Sequence, residues 1–185
     1  MSGTPNGIDQ YLQLVAKVDA FVARVTARHG DHMRCGSGCH DCCHVRFSVT
    51  GVEAEVIREA VATLPAAVRA RLAAHARTDD PHRCAALEDD GSCAIYAARP
   101  LVCRSHGVPI RQRPPQGAAT LDACFRNFTE RGPAAVEADC VLDQTTLSTL
   151  LYAIDSAHAA QTGSTVGARF AVAELVDQEP ASGPT

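Results

Sequence analysis

CGSGCHDCC, residues 35–43, puts four cysteines into nine positions, with His40 inside the block and His44 directly after it. So many thiols in so short a run fit a disulfide staple, a zinc site, an iron–sulfur cradle or a redox pair. The rest of the chain narrows the choice. It holds nine cysteines in 185 residues, an odd number that cannot pair completely. Its start, MSGTPNGIDQ, has no basic region followed by an apolar one and so does not read as a secretory signal. A cytoplasmic, reducing setting is expected, where clustered thiols bind metal or do redox chemistry rather than form structural disulfides.

Around the block the sequence is helical. Residues 8–29 place Ile8, Tyr11, Leu12, Val15, Val18, Phe21, Val22 and Val25 at helical spacing, and Gly30 reads as the stop. The block then lies in a loop over 30–44, followed by a short apolar alternation, VRFSV. Thr50 and Glu53 have the capping-box form and open a helix to about Leu64. Pro65 suits the first turn of another helix over 65–77. Residues 84–96 read as two short extended pieces around an Asp90-Gly91 turn, and Arg99-Pro100 as a bend or short helix start. Residues 107–120 are expected as loop and 121–131 as a short helix carrying Cys124. Asp143 should cap a helix over 144–161, with Leu147, Leu150, Leu151 and Ile154 on one face. A last helix is expected over 166–176, and a disordered tail over 178–185.

The expectation is therefore one mainly α domain over 1–177, with its core at about 30–155. It is small, cysteine-rich and metal-stabilised, with short extended segments around 84–96. Hydrophobic residues make up 46% but aromatics only 4%. A core of Ala, Val and Leu buries little area per residue, so a metal or cross-link matters more to stability. The net charge of −4, with Lys17 the single lysine, gives no electrostatic case for a nucleic-acid or anionic-membrane partner. No apolar run approaches the ~20 residues of a membrane span.

Cys35, Cys39, Cys42 and Cys43 spell C-x3-C-x2-C-C. Adjacent side chains diverge along a helix or strand, so Cys42 and Cys43 do not both reach one small ion well. One ligates while the other packs, or each serves a different metal. Cys39 and Cys42 form a C-x2-C pair, common to zinc and iron–sulfur sites. Cys84, Cys93, Cys103 and Cys124 supply a second group of four. Four plus four allows one eight-thiolate binuclear centre, two four-ligand sites, or one site with spare thiols. Soft thiolates suit zinc, iron–sulfur and Cu(I), and spacing alone does not choose among them.

The first three cysteines also match the C-x3-C-x2-C spacing of radical S-adenosylmethionine enzymes. Those enzymes need repeated strand–helix units, which this chain lacks, and an aromatic before the third cysteine, where this chain has Asp41. The longer pattern resembles a different family. CGSGCHDCC, followed by C…CAIYAARPLVCR at 84–104, resembles the YkgJ-like cysteine-cluster proteins, also described as a zinc- or iron-chelating domain family. Cys35, Cys39, Cys42 and Cys43 match its first block. Cys84, Cys93 and Cys103 match its second, with Tyr96, Arg99, Pro100 and Arg104 as signature neighbours. CFRNF at 124–128 resembles a subgroup with a downstream Cys-x-x-Asn-Phe, which makes Cys124 the eighth family cysteine. The resemblance spans roughly 30–155 and implies metal binding. A similar block occurs in flagellin lysine-methylating proteins, so an enzymatic use exists among relatives.

The residues expected to hold metal are Cys35, Cys39, Cys42, Cys43, Cys84, Cys93, Cys103 and Cys124, with an iron–sulfur cluster or zinc as cofactor. Alternatives are a metal-dependent enzyme of redox or methyl-transfer type, and a thiol–disulfide switch at Cys39 and Cys42. Cys140 reads as an ordinary buried or semi-exposed thiol. His40, His44 and His106 are candidate auxiliary ligands or partners of ligands. His29, His32, His75, His82 and His158 read as surface. Arg99 and Arg104 could offset thiolate charge or form structural salt bridges, and Tyr96 reads as packing.

Overall fold

The computed structural model describes residues 6–36, 38–78 and 80–177; the tail expected over 178–185 lies outside them. The described residues form six helices, α1 (Gly7–His29), α2 (Gly51–Thr63), α3 (Ala66–Ala76), α4 (Leu101–Ser105), α5 (Gln144–Thr162) and α6 (Val172–Val176). Five short strands accompany them, β1 (Ser48–Val49), β2 (Ile110–Gln112), β3 (Thr120–Asp122), β4 (Leu142–Asp143) and β5 (Phe170–Ala171). The domain is mainly α, as the sequence implies.

The local signals explain the long helices. Asn6 Oδ1 caps α1 by accepting from Asp9 N at 2.8 Å, and Asp143 Oδ1 caps α5 by accepting from Thr146 N at 3.0 Å. On α1 the buried seam is Tyr11, Leu14, Val15, Val18 and Val25, while Leu12 turns outward. On α5 Leu147 is buried and Leu150 is exposed, so the face is narrower than the leucine pattern suggests. Gly30 does not stop α1 in a left-handed turn. Its φ is −52°, and the chain runs on into a 3-10 turn over Gly30–His32.

Glu53 does more than close a capping box. Its Oε2 accepts from Thr50 N at 3.1 Å and Thr50 Oγ1 at 3.0 Å, and its Oε1 accepts from Leu101 N at 3.0 Å. One buried carboxylate thus serves the N-termini of both α2 and α4, where the helix dipoles favour negative charge. Asp155 of α5 adds a bond from Val52 N at 3.0 Å.

Three apolar clusters follow. One joins α2, α3, α6 and residues 84–95, with Ile57, Leu72 and Leu175 at its centre. Another joins α1, α2, α5 and Leu101 around Tyr11. The third gathers Val25, Val108, Phe128 and Cys140.

The strands depart most from expectation. Residues 84–96 hold only an isolated bridge, Leu87 to Cys93. The larger sheet lies later, in the order β3-β2-β4, where residues 107–122 were expected as loop and helix. β2 pairs antiparallel with β3 and parallel with β4. No helix forms over 121–131. β3 leads instead into a turn in which Phe128 adopts φ 54° and buries its ring. At the other end β5 pairs with β1, and the last helix is confined to Val172–Val176.

Candidate metal centre

The cysteine block is a strap tied down at each end by a different cysteine-bearing segment. At its front, Phe128 N donates to His32 O at 2.8 Å and Arg34 N donates to Asn127 Oδ1 at 2.7 Å. Asn127 N in turn donates to Cys124 O at 2.8 Å. Cys35 and Cys124 are thereby brought to the same place. At the back, Cys84 N donates to Cys43 O at 2.7 Å and Arg46 N to Pro81 O at 3.2 Å. The Arg46 guanidinium gathers the carbonyls of His75, Ala76, Thr78 and Asp80, closing the C-terminus of α3. Cys43 and Cys93 pack against the apolar cluster that contains Cys84.

All nine cysteines are free thiols. Burial pushes the Cys84 and Cys93 thiols above the ordinary value, and pushes Cys103 up to about 12. The charges of Cys42, Cys84 and Cys93 act on Cys103 in the same direction, which puts Cys103 with the back group. At the front, Cys35 is an exposed residue whose sulfur is partly shielded from water; that shielding raises the thiol, a hydrogen bond from Asn127 lowers it, and its neighbours Cys124, Cys39 and Cys42 raise it further. Cys42 belongs to both neighbourhoods. A hydrogen bond between the Cys42 and Cys43 thiols drives Cys42 down and Cys43 up. Cys42 thus acts electrostatically on thiols of both groups.

The donor set has the chemistry of a soft-metal or metal–sulfur site, with thiols from two stretches of chain and cationic groups around them, although among the described residues no three of the eight sulfurs lie within 4.8 Å of one another. Arg46 acts on Cys84, Arg99 on Cys93 and Cys103, and the charges of Cys39 and Cys124 act on Arg126. The two arginines that bracket Cys103 divide their roles. Arg104 is structural, bound to Asp19 at 2.6 Å and to the carbonyls of Arg99 and Ala97. Arg99 lies 3.9 Å over the ring of Tyr96, which is 63% exposed rather than packed inside. Arg126 pairs with Asp41 of the strap.

The histidines beside the strap form a directed chain. A carbonyl only accepts, so His44 Nδ1 donates to His82 O at 3.2 Å. With both rings neutral, His44 Nε2 then accepts from His40 Nδ1 at 3.0 Å, and His40 Nε2 is left as an acceptor. His40 lies against the turn at Gly91, where φ is 82° and a Cβ would meet its ring at 2.8 Å. His106 adds a smaller lowering influence on Cys42.

Two histidines expected at the surface are buried. His158 pairs with Glu55 at 2.9 Å. His29 lies with Glu137 and Cys140, donor atoms all within 4.8 Å of one another. Hydrogen bonds account for this trio without an ion. Arg131 Nη2 lies 2.6 Å from His29 Nδ1 and can only donate, so Nε2 carries the proton and gives it to Glu137 Oε2 at 2.8 Å. A metal on Nε2 would require the opposite tautomer, facing a fixed cation. Cys140 is fully buried, as the sequence suggests, with Arg28 Nη1 3.6 Å from its sulfur.

Residues 34–124 match the family model CxxCxxCC, whose description reads "Putative zinc- or iron-chelating domain". This segment is a CxxCxxCC domain. Its first two cysteines are separated by one residue more than the family name spells. No curated protein matches the chain, and no solved structure does. The match ends at Cys124, so the turn that ties down the strap's front lies just beyond it. Sequence reading assigned no role to Asn127 or Gly107; the Cys-x-x-Asn-Phe signature was the one signal that marked the first.

Proposed function

We propose that Cys35, Cys39, Cys42, Cys43, Cys84, Cys93, Cys103 and Cys124 hold the metal of this CxxCxxCC domain, as an iron–sulfur cluster in preference to zinc. The observation that carries the reading is the strap: its front is bonded to the segment of Cys124 and its back to the segment of Cys84. A cluster bound there supplies one-electron transfer, at a potential set by hydrogen bonds to sulfur and by solvent exposure. The chain's own residues supply both controls. Asn127 donates to Cys35 Sγ, Arg46 and Arg99 act on the buried thiols, and Cys35 and Cys42 stay exposed to water. A role in electron transfer or oxidant sensing follows.

Zinc is the second reading, favoured by the back group alone. Cys43, Cys84 and Cys93 have an apolar wall behind them, as closed structural zinc sites have, and Cys103 would be the fourth ligand. An enzymatic use draws less support. The cleft between β2–β3 and α5, about 500 Å³, is lined by residues such as Arg113, Thr145 and Tyr152 and by none of the eight cysteines.

Anaerobic purification with metal analysis, acid-labile sulfide and an absorption spectrum tests the reading. Brown protein with sulfide is the expected result. Colourless protein with stoichiometric zinc moves the assignment to zinc, and anaerobic material free of any metal ends it.

A further inference from the structure

Asn127 is almost fully buried, at 4% exposure, and every polar group of its side chain is used. Oδ1 accepts from Arg34 N at 2.7 Å, while Nδ2 donates to Gly107 O at 2.7 Å and to Cys35 Sγ at 3.2 Å. The partners fix the orientation of the amide. Turned over, it would set its oxygen against the Gly107 carbonyl and its NH2 against the Arg34 N–H. Gly107 completes the seat of the sulfur. Its φ is +103°, and a Cβ there would lie 2.5 Å from Cys35 Sγ and 3.1 Å from Asn127 Nδ2. The backbone behind the amide is equally determined, since Phe128 is held at φ 54° with its ring buried.

Two of the three side-chain bonds could belong to a plain loop clip between residues 34 and 107. The third does not serve that purpose. A neutral thiol is a poor acceptor, whereas a thiolate is a good one, so an amide donor aimed at sulfur suits the charged, ligating form. Resting on the metal reading above, we propose that Asn127 is the positioning residue of the Cys35 ligand, seating its sulfur against Gly107 and withdrawing charge from it by an N–H···S hydrogen bond. This extends the working centre past Cys124, the end of the matched domain.

The test uses Co2+ added anaerobically to the metal-free full chain, in wild type, Asn127→Asp, Asn127→Ala and Cys35→Ser. Asn127→Asp keeps the shape and the acceptor for Arg34 N but removes the donor. Folded Asn127 variants are expected to bind Co2+ about 10–100-fold more weakly, the usual cost of losing a partner of a metal ligand. Their thiolate-to-cobalt charge-transfer band should move to longer wavelength, because an unbonded thiolate holds its lone pair less tightly. In the Cys35→Ser background, Asn127→Asp should shift the band no further. Wild-type affinity and band position in folded Asn127→Asp overturn the assignment, as does an equal effect with Cys35 absent. A wild-type chain with no thiolate–cobalt band overturns the metal reading itself and this inference with it. Should both Asn127 variants fail to fold, 15N-labelled wild type decides. Cd2+ loading should move an Asn127 side-chain amide proton downfield, and an unmoved resonance overturns the proposal.

Discussion

The two ends of the cysteine strap are built differently. At the back, Cys43 and Cys84 are joined by a backbone hydrogen bond and lean on a wall made by α2, α3 and α6. At the front, Cys35 is exposed and is seated by one amide and one glycine. The back end draws on a hydrophobic cluster whose stability is spread over many residues. The front end draws on a few directional bonds. Insulated thiols and accessible thiols thus share one nine-residue block, and Cys42 and Cys43 mark the border between them.

Substitutions at single cysteines should separate the ends most sharply. Cys103→Ser is expected to strip most of the bound metal and lower the melting temperature of the loaded protein by about 10 °C, the effect of ~3–4 kcal/mol in a chain of this size. Cys35→Ser should leave much of the metal of the back group in place. Metal-to-protein ratios on anaerobic material, with thermal unfolding, check both. Equal losses from the two variants would show that the ends form one indivisible centre.

Glu53 tests the back end without touching a thiol. Glu53→Ala leaves Thr50 N and Leu101 N without their acceptor, at a cost of about 3 kcal/mol in urea unfolding. Because Leu101 opens the helix that carries Cys103, metal should be lost from the back group while the Asn127–Cys35 contact persists.

Alkaline pH gives a smaller effect. Cys103 is raised in the folded metal-free chain from the ordinary value of 9.0 to about 12. The stability it contributes is complete below pH 9 and is lost as pH rises from there through 12. Metal-free protein should lose about 1 kcal/mol by pH 10 from this group. Urea midpoints from pH 7.5 to 10.5 under reductant measure the loss, which metal loading should abolish. Smallest of all, Arg126→Ala breaks an exposed ion pair with Asp41. It should change stability by less than about 0.5 kcal/mol, and a larger change would mean that the front end is more rigid than its exposure suggests.

What could be read from sequence followed the range of the forces involved. α1, α2 and α5 announce themselves through periodicity, and α2 and α5 also through caps at Thr50 and Asp143, all signals that lie within a few residues, whereas the Asn6 cap of α1 is seen only in the structure. The eight cysteines stand out by clustering and by the family pattern. Hidden from view was whatever depends on partners far along the chain. β2 forms because Leu142 and Asp143 arrive beside it, and the 121–131 segment stays non-helical because Phe128 and Asn127 bond back to residues 32–35. His29 and His158 are inside because Glu137 and Glu55 meet them there. The division of the strap into two ends has the same origin.

The wall behind the buried thiols has a consequence in time. Part of it is α6, where Val172, Leu175 and Val176 cover the cluster that holds Cys84, and Val172 N bonds to Phe47 O. On the ribosome Cys43 emerges long before Val172. At about 5–20 residues per second, that interval is on the order of ten seconds. Throughout it these thiols lack their cover and face the surrounding solution, with its oxidants and competing ions. On the proposed metal reading, vectorial synthesis opens a window for loading the back group, and it closes when α6 docks.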